Sequence, residues 1–164
     1  INQSPRPSSS SPDGRTGRGM SYSEDSLTQQ TLADYLSAEL GWESVFAYNT
    51  EVLGPEGTLG RRTEHEVVLT RYLGEALVKL NPGLPDEAYV SAIRQICEAL
   101  GFQSITQVNR DKYALIRDGV PVSYREDGEI KKRRLRVFDF ETPENNHFLC
   151  VRELWIRGPV HRRR

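Results

Sequence analysis

The sequence predicts an α+β fold in which N-terminal helices pack on an antiparallel meander, and three observations carry that expectation. Between residues 27 and 118 the apolar residues recur at three- and four-residue spacing, as they do along one face of a helix. From residue 119 the segments "VPVSY", "IKKRRLRVFDF" and "HFLCVRELWI" are rich in β-branched and aromatic residues and read as three strands. Turn formers separate them: Asp127-Gly128 is a strong hairpin signal, and Pro143 to Asn146 form a second turn. A chain of 164 residues has room for one domain of ordinary size. Residues 1–25 are expected to be a disordered tail, because Ser, Pro, Gly and Arg there offer no core-forming side chains. Residues 26–164 form the domain, and Met20 reads as a candidate natural start.

The first helix is expected over 27–40, with Leu32, Tyr35, Leu36 and Leu40 on its buried face and Gly41 stopping it. "WESVFAYNT" is a short strand or extended link, and "GPEGTLG" a loop. Thr63 and Glu66 have the spacing of a capping box, which predicts that the next helix starts there and runs to Asn81-Pro82. A further helix is announced by Asp86 as its cap and Gly101 as its stop, burying Tyr89, Ala92, Ile93, Ile96, Cys97 and Leu100. A shorter helical piece falls around Tyr113, Leu115 and Ile116. In the last strands Leu135 and Val137 are expected on one face and Phe138 and Phe140 on the other, so that both sides of the sheet are covered.

Composition excludes more than it selects. No segment is apolar enough to span a membrane, and the N-terminus has no continuous apolar core of the kind a secretory signal needs. Two cysteines, Cys97 and Cys150, lie in apolar patterns and read as reduced core residues, which points to a cytoplasmic protein. His65, His147 and His161 are too scattered for a recognisable zinc set. The sequence has no Gly-x-x-x-x-Gly-Lys-Ser/Thr phosphate loop and no Gly-x-Ser-x-Gly nucleophile elbow. With 22 basic and 23 acidic residues the net charge is −1, yet Lys131, Lys132, Arg133 and Arg134 form a basic run, and the chain ends on Arg162, Arg163 and Arg164. Two readings of the run stand. It is a solvated strand edge guarded by charge, or a surface for nucleic-acid phosphates, in which case a two-residue period admits at most half of it to any one face.

Three segments in order, "LGRRTEHEVVLTRYLGEALVKLNPGLP", "LIRDGVPVSYREDGEI" and "RVFDFETPENNHFLCVRELWIRG", resemble the N-terminal region of the R subunit of type I restriction enzymes. The resemblance runs from about Glu66, with Leu32 as an alternative start, to the last residue, and its most specific part joins Asp-Phe, Pro-x-Asn-Asn and an apolar strand. It implies part of a nuclease core of the PD-(D/E)xK type, in a subunit that cleaves double-stranded DNA with Mg²⁺, is driven by ATP, and assembles with modification (methyltransferase) and specificity subunits. In that family a Pro-Asp step and a Glu-x-Lys strand supply the catalytic groups. Both would fall beyond Arg164, so the fragment alone is expected to be inactive and to bind neither cofactor. One family feature has a counterpart here: an acid on the first core helix that faces the metal, for which Glu66 is the best positional match and Glu64 and Glu75 are alternatives. The resemblance also sets Arg162 to Arg164 beside the nuclease centre, as candidate phosphate contacts.

Overall fold

The computed structural model describes residues 24–98, 103–158 and 162–163. Helix α1 (Glu24–Leu40) leads to strand β1 (Glu43–Phe46). After a long loop come α2 (Thr70–Leu80), α3 (Asp86–Cys97) and α4 (Ile105–Asp118), then β2 (Val120–Glu126), β3 (Glu129–Leu135), β4 (Leu149–Arg152), β5 (Ile156–Arg157) and β6 (Arg162–Arg163). The α+β class is therefore as expected. The central body is the β2–β3 hairpin with α2 and α3 on its inner face. Asp127 and Gly128 turn it with φ of 54° and 83°, the left-handed pair that a two-residue loop between Glu126 and Glu129 requires.

Burial explains why these elements pack. Leu77 of α2, Ala88, Tyr89 and Ala92 of α3, and Val120, Val122, Tyr124 and Leu135 of the hairpin form one buried cluster, joined by half-buried Leu73, Ile93, Ile96, Leu115 and Val137. Leu77, Val120 and Leu135 are fully removed from water, and truncating such a side chain to Ala typically costs about 2–5 kcal/mol. Polar groups at the end of α2 are all engaged. Asn81 donates through Nδ2 to Leu77 O (2.9 Å) and Arg136 O (2.8 Å) and accepts from Arg136 N at 2.7 Å, while the Tyr89 hydroxyl donates to Asn81 O at 2.6 Å. The free edge of β2 is guarded by α3: Gln95 donates to Pro121 O at 2.9 Å and Glu87 accepts from Arg125 N at 2.9 Å.

Several expectations are corrected. The meander does not form, because β4 leaves the hairpin and pairs in parallel with β1, Glu43 opposite Leu149 through Phe46 opposite Arg152. Regular strand ends at Leu135; Phe138 instead packs against Phe140 (centroids 4.8 Å apart) and edge-on to Phe148 at 5.9 Å. The hairpin is covered on one side only, with Pro121, Ser123 and Arg125 exposed between buried neighbours. Helix α1 starts at Glu24, and it buries Ala33 while Leu32, Tyr35 and Leu40 are each more than half exposed. Gly41 does end it, at φ 68°. The second helix begins at Thr70 rather than at Thr63. In α3 the cap is Pro85, with Asp86 inside the first turn; Cys97 is exposed, and Leu100 and Gly101 lie outside the described residues. The piece around Leu115 is a full helix, started by Ser104, whose hydroxyl accepts from Gln107 N at 3.2 Å, and its Tyr113 and Ile116 are exposed.

Two polar knots hold what the apolar cluster does not reach. Arg61 is completely buried and grips Glu51 with two hydrogen bonds, Nε to Oε1 at 2.7 Å and Nη2 to Oε2 at 2.5 Å. Its remaining donors reach Glu66 O (3.1 Å) and Trp155 O (2.9 Å). Hydrogen bonding to Glu51 raises the guanidinium pKa, so Arg61 stays charged although it is buried. Gly60 precedes it at φ 69°, and a Cβ there would stand 2.8 Å from Arg71 Cβ, so only glycine fits. The second knot is Asp139, 4% exposed. Its Oδ1 accepts from Glu141 N and Thr142 N (both 3.1 Å), and its Oδ2 from Asn145 Nδ2 (2.9 Å) and Arg136 Nη1 (3.1 Å). Asn146 closes the turn by accepting from Asp139 N and donating to Asp139 O, both at 2.8 Å.

Removing one partner of a buried charged pair leaves the other stranded, so Arg61→Met or Glu51→Leu alone is expected to lower stability by about 3–5 kcal/mol, and the double variant by much less; urea unfolding of the three variants checks this. The Asp139 carboxyl is held below its ordinary value of 3.8, chiefly by the Asn145 amide and the Thr142 N–H. Its contribution is thus fully present above that value and is lost as pH falls through the lower, folded one. Thermal midpoints measured from pH 6 to pH 2 should fall more steeply for the natural protein than for Asp139→Asn.

Candidate functional site

The three acids singled out in the sequence do not converge. Thr63, Glu64, His65 and Glu66 form a turn closed by Glu66 N donating to Thr63 O at 3.2 Å, and the Glu66 carboxylate accepts from Arg62 N at 3.2 Å. The reciprocal bonds of a capping box do not form: the Thr63 hydroxyl accepts from His65 N at 3.3 Å, and no helix follows directly. Arg61 fixes this turn through Glu66 O. Glu66 lines an open cleft of about 520 Å³ with Arg62, His65, Thr70 and Cys97. Glu64 is drawn instead to Arg157, at 3.7 Å, with Arg157 N donating to Glu64 O at 2.9 Å. Glu75 is exposed on α2 and lines a separate cleft of about 230 Å³ with Lys79, Asn145, Asn146 and His147.

Among the described residues no three His, Cys, Asp or Glu side chains come together as metal ligands. A divalent ion with oxygen ligands needs several such groups or carbonyls around it, so these residues alone do not fit a magnesium site. Glu66 stands as a single carboxylate in its cleft.

A group that the sequence reading did not bring together lies where β1, α2 and the turn before β4 meet. Glu43 accepts from the Tyr72 hydroxyl at 3.1 Å and pairs with His147 Nε2 at 2.8 Å, while the Tyr72 and His147 rings are 5.4 Å apart. Burial raises the Tyr72 hydroxyl above its ordinary value of 10, and Glu43 pushes the same way against the Arg71 guanidinium. The three residues are far apart in sequence and meet only through the β1–β4 pairing, so no local pattern could have found them. The Trp42 and Phe148 rings stack with centroids 5.1 Å apart, and those of Tyr48 and Trp155 with centroids 6.3 Å apart.

The basic run splits as its period requires. Register places Lys131 and Arg133 opposite Tyr124 and Val122 on the inner side of the hairpin, whereas Lys132 and Arg134 lie opposite Ser123 and Pro121 on the outer side. Lys131 is taken up by an ion pair with Glu126. Arg162 and Arg163 form β6 with β5, Ile156 opposite Arg163; their side chains, with Arg164 and His161, lie outside the described residues. No described helix is long and apolar enough to cross a membrane.

No solved structure matches the chain. A "Type I restriction enzyme HindI endonuclease subunit" from Haemophilus influenzae is 36% identical over 135 residues, which is 82% of this chain but 12% of that protein. The chain thus spans about an eighth of the relative's length. The family model for the type I restriction enzyme R protein N terminus matches residues 21–164, and the chain belongs to that family.

Proposed function

We propose that this chain is the N-terminal region of the DNA-cleaving subunit of a type I restriction-modification system. The observation that carries the reading is the family match across the whole folded part, with 36% identity to an endonuclease subunit. On this reading the complete subunit cuts foreign double-stranded DNA with Mg²⁺ and ATP in the cytoplasm, assembled with modification and specificity subunits. The region belongs to a PD-(D/E)xK core. Support for that comes from the parallel β1–β4 pair beside α2, an arrangement that isolated two-stranded sheets seldom hold alone.

The described residues supply positioning rather than a full reaction centre. Arg61 fixes the turn bearing Glu66, and Glu66 would add one carboxylate to a site whose remaining ligands come from elsewhere in the complete subunit. Bound Mg²⁺ would neutralise charge on the scissile phosphate. Glu64, engaged by Arg157, and Glu75, in the other cleft, are weaker choices for that role. ATP belongs to another part of the subunit, since no phosphate loop is present in this sequence. A second reading, a subunit-assembly module, is favoured by the exposed Leu32, Tyr35 and Leu40 on α1.

The purified chain is expected neither to linearise plasmid DNA nor to hydrolyse ATP; EDTA-sensitive cleavage by it would refute the division of labour. In the complete subunit, Glu66→Gln should reduce Mg²⁺-dependent cleavage by about 10–100-fold, the range for groups that support a metal site, and leave ATP hydrolysis unchanged. Equal cleavage by the variant would remove Glu66 from the site and leave it as the acid that closes its own turn.

A further inference from the structure

The outer face of the β2–β3 hairpin is segregated by charge. Its cross-strand pairs are Pro121 with Arg134, Ser123 with Lys132 and Arg125 with Ile130, so three cations share it and no acid does. The hairpin's acids, Glu126 and Glu129, stand opposite each other on the alternate set of positions, with Lys131 paired to Glu126. Among the described residues Arg125 and Lys132 have no carboxylate partner for their side chains. Arg134 donates to Gly119 O at 3.2 Å. Asp118, on which Arg134 also acts electrostatically, is already held by Arg117 through hydrogen bonds of 2.6 and 2.7 Å. Glu87 reaches Arg125, but through its backbone N–H.

Like charges that share one face of a two-stranded sheet disfavour the fold unless something neutralises them. Here they are gathered in a protein whose net charge is −1, so the asymmetry is local. The face is shallow: an open groove of about 300 Å³ runs between Pro121, Ser123, Lys132 and Arg134, with the inner-side pair Val122 and Arg133 also reaching its lining, and no aromatic side chain lines it. A protein partner is usually anchored by an aromatic or apolar side chain in a pocket; a regular polyanion needs only evenly spaced cations. Side chains two residues apart on a strand are separated by about 6.6–6.8 Å, comparable with consecutive phosphates along one nucleic-acid strand.

We propose that Arg125, Lys132 and Arg134 form a docking face for the sugar–phosphate backbone of double-stranded nucleic acid, one that positions the duplex without reading its sequence. The choice of a duplex as the polyanion rests on the DNA-cleaving reading above; the location of the face does not. Each phosphate neutralised contributes about 0.9 to the slope of log affinity against log salt.

The test is fluorescence anisotropy of a labelled random-sequence duplex with the full chain, across 50–200 mM salt. The triple variant Arg125→Gln/Lys132→Gln/Arg134→Gln should bind at least about 10-fold more weakly at low salt, with a slope shallower by about 2–3. The inner-side variant Lys131→Gln, outside the groove and paired with Glu126, should keep most of both, and far-UV circular dichroism confirms that both variants fold. No duplex binding by the natural chain at 50 mM salt, equal effects of the two variants, or preference for anionic vesicles or an acidic peptide over the duplex would each overturn the proposal. None of these would touch the cleavage reading, which is measured separately as plasmid cutting by the complete subunit.

Discussion

A single buried guanidinium is the constraint on which the arrangement of the N-terminal half depends. Arg61 lies entirely out of water and satisfies itself on Glu51, Glu66 O and Trp155 O. Those partners come from the loop after β1, the turn before α2 and the approach to β5, three segments with few apolar side chains in common. A buried charge tolerates no loose geometry, because any donor pulled off its acceptor is stranded in a medium that solvates it poorly. The hydrophobic cluster of α2, α3 and the hairpin fixes the other half in a different way, by area and shape, and allows small adjustments. The protein thus combines a greasy body with a polar clasp, and Glu66 hangs from the clasp.

The Asp139 knot shows why a short sequence pattern carried so much family information. Asp139, Asn145 and Asn146 are each used twice or more in hydrogen bonds, and Pro143 opens a single helical turn capped by Asn146, whose N–H donates back to Pro143 O at 3.0 Å. Replacing either asparagine with a residue of similar size but different polarity leaves donors or acceptors unmatched. The pattern is therefore specific because it closes on itself, independently of any reaction.

Legibility from sequence followed the range of the interactions. The Asp127-Gly128 hairpin, the burial of Tyr89, Ala92, Ile93 and Ile96 on α3 and the stop at Asn81-Pro82 rest on contacts within a few residues, and they stand where the pattern put them. Thr63 and Glu66 misled because their side chains close a lone turn, accepting from His65 N and Arg62 N instead of from each other's backbone, and Arg61 holds that turn through Glu66 O. In α1 the spacing of Leu32, Tyr35 and Leu40 was helical, but Ala33 was chosen as the contact because a small residue lets β1 and β4 approach closely. The partner of β4 could not be read at all, since nothing local distinguishes a third meander strand from one that returns to Glu43. Family membership was legible through the turn chemistry of residues 139–146, whereas the meeting of Glu43, Tyr72 and His147 was not.

The parallel pairing of β1 with β4 also sets an order of events during synthesis. Glu43–Phe46 emerges from the ribosome long before Leu149–Arg152, and the roughly one hundred residues between them take about 5–20 s to translate. Within that interval α2 and α3 emerge first and the hairpin that covers them only near its end, while β1 waits throughout without its parallel partner. Nascent chains of this region should accordingly lean on a holding chaperone at their leading end and release it only when the far strand arrives.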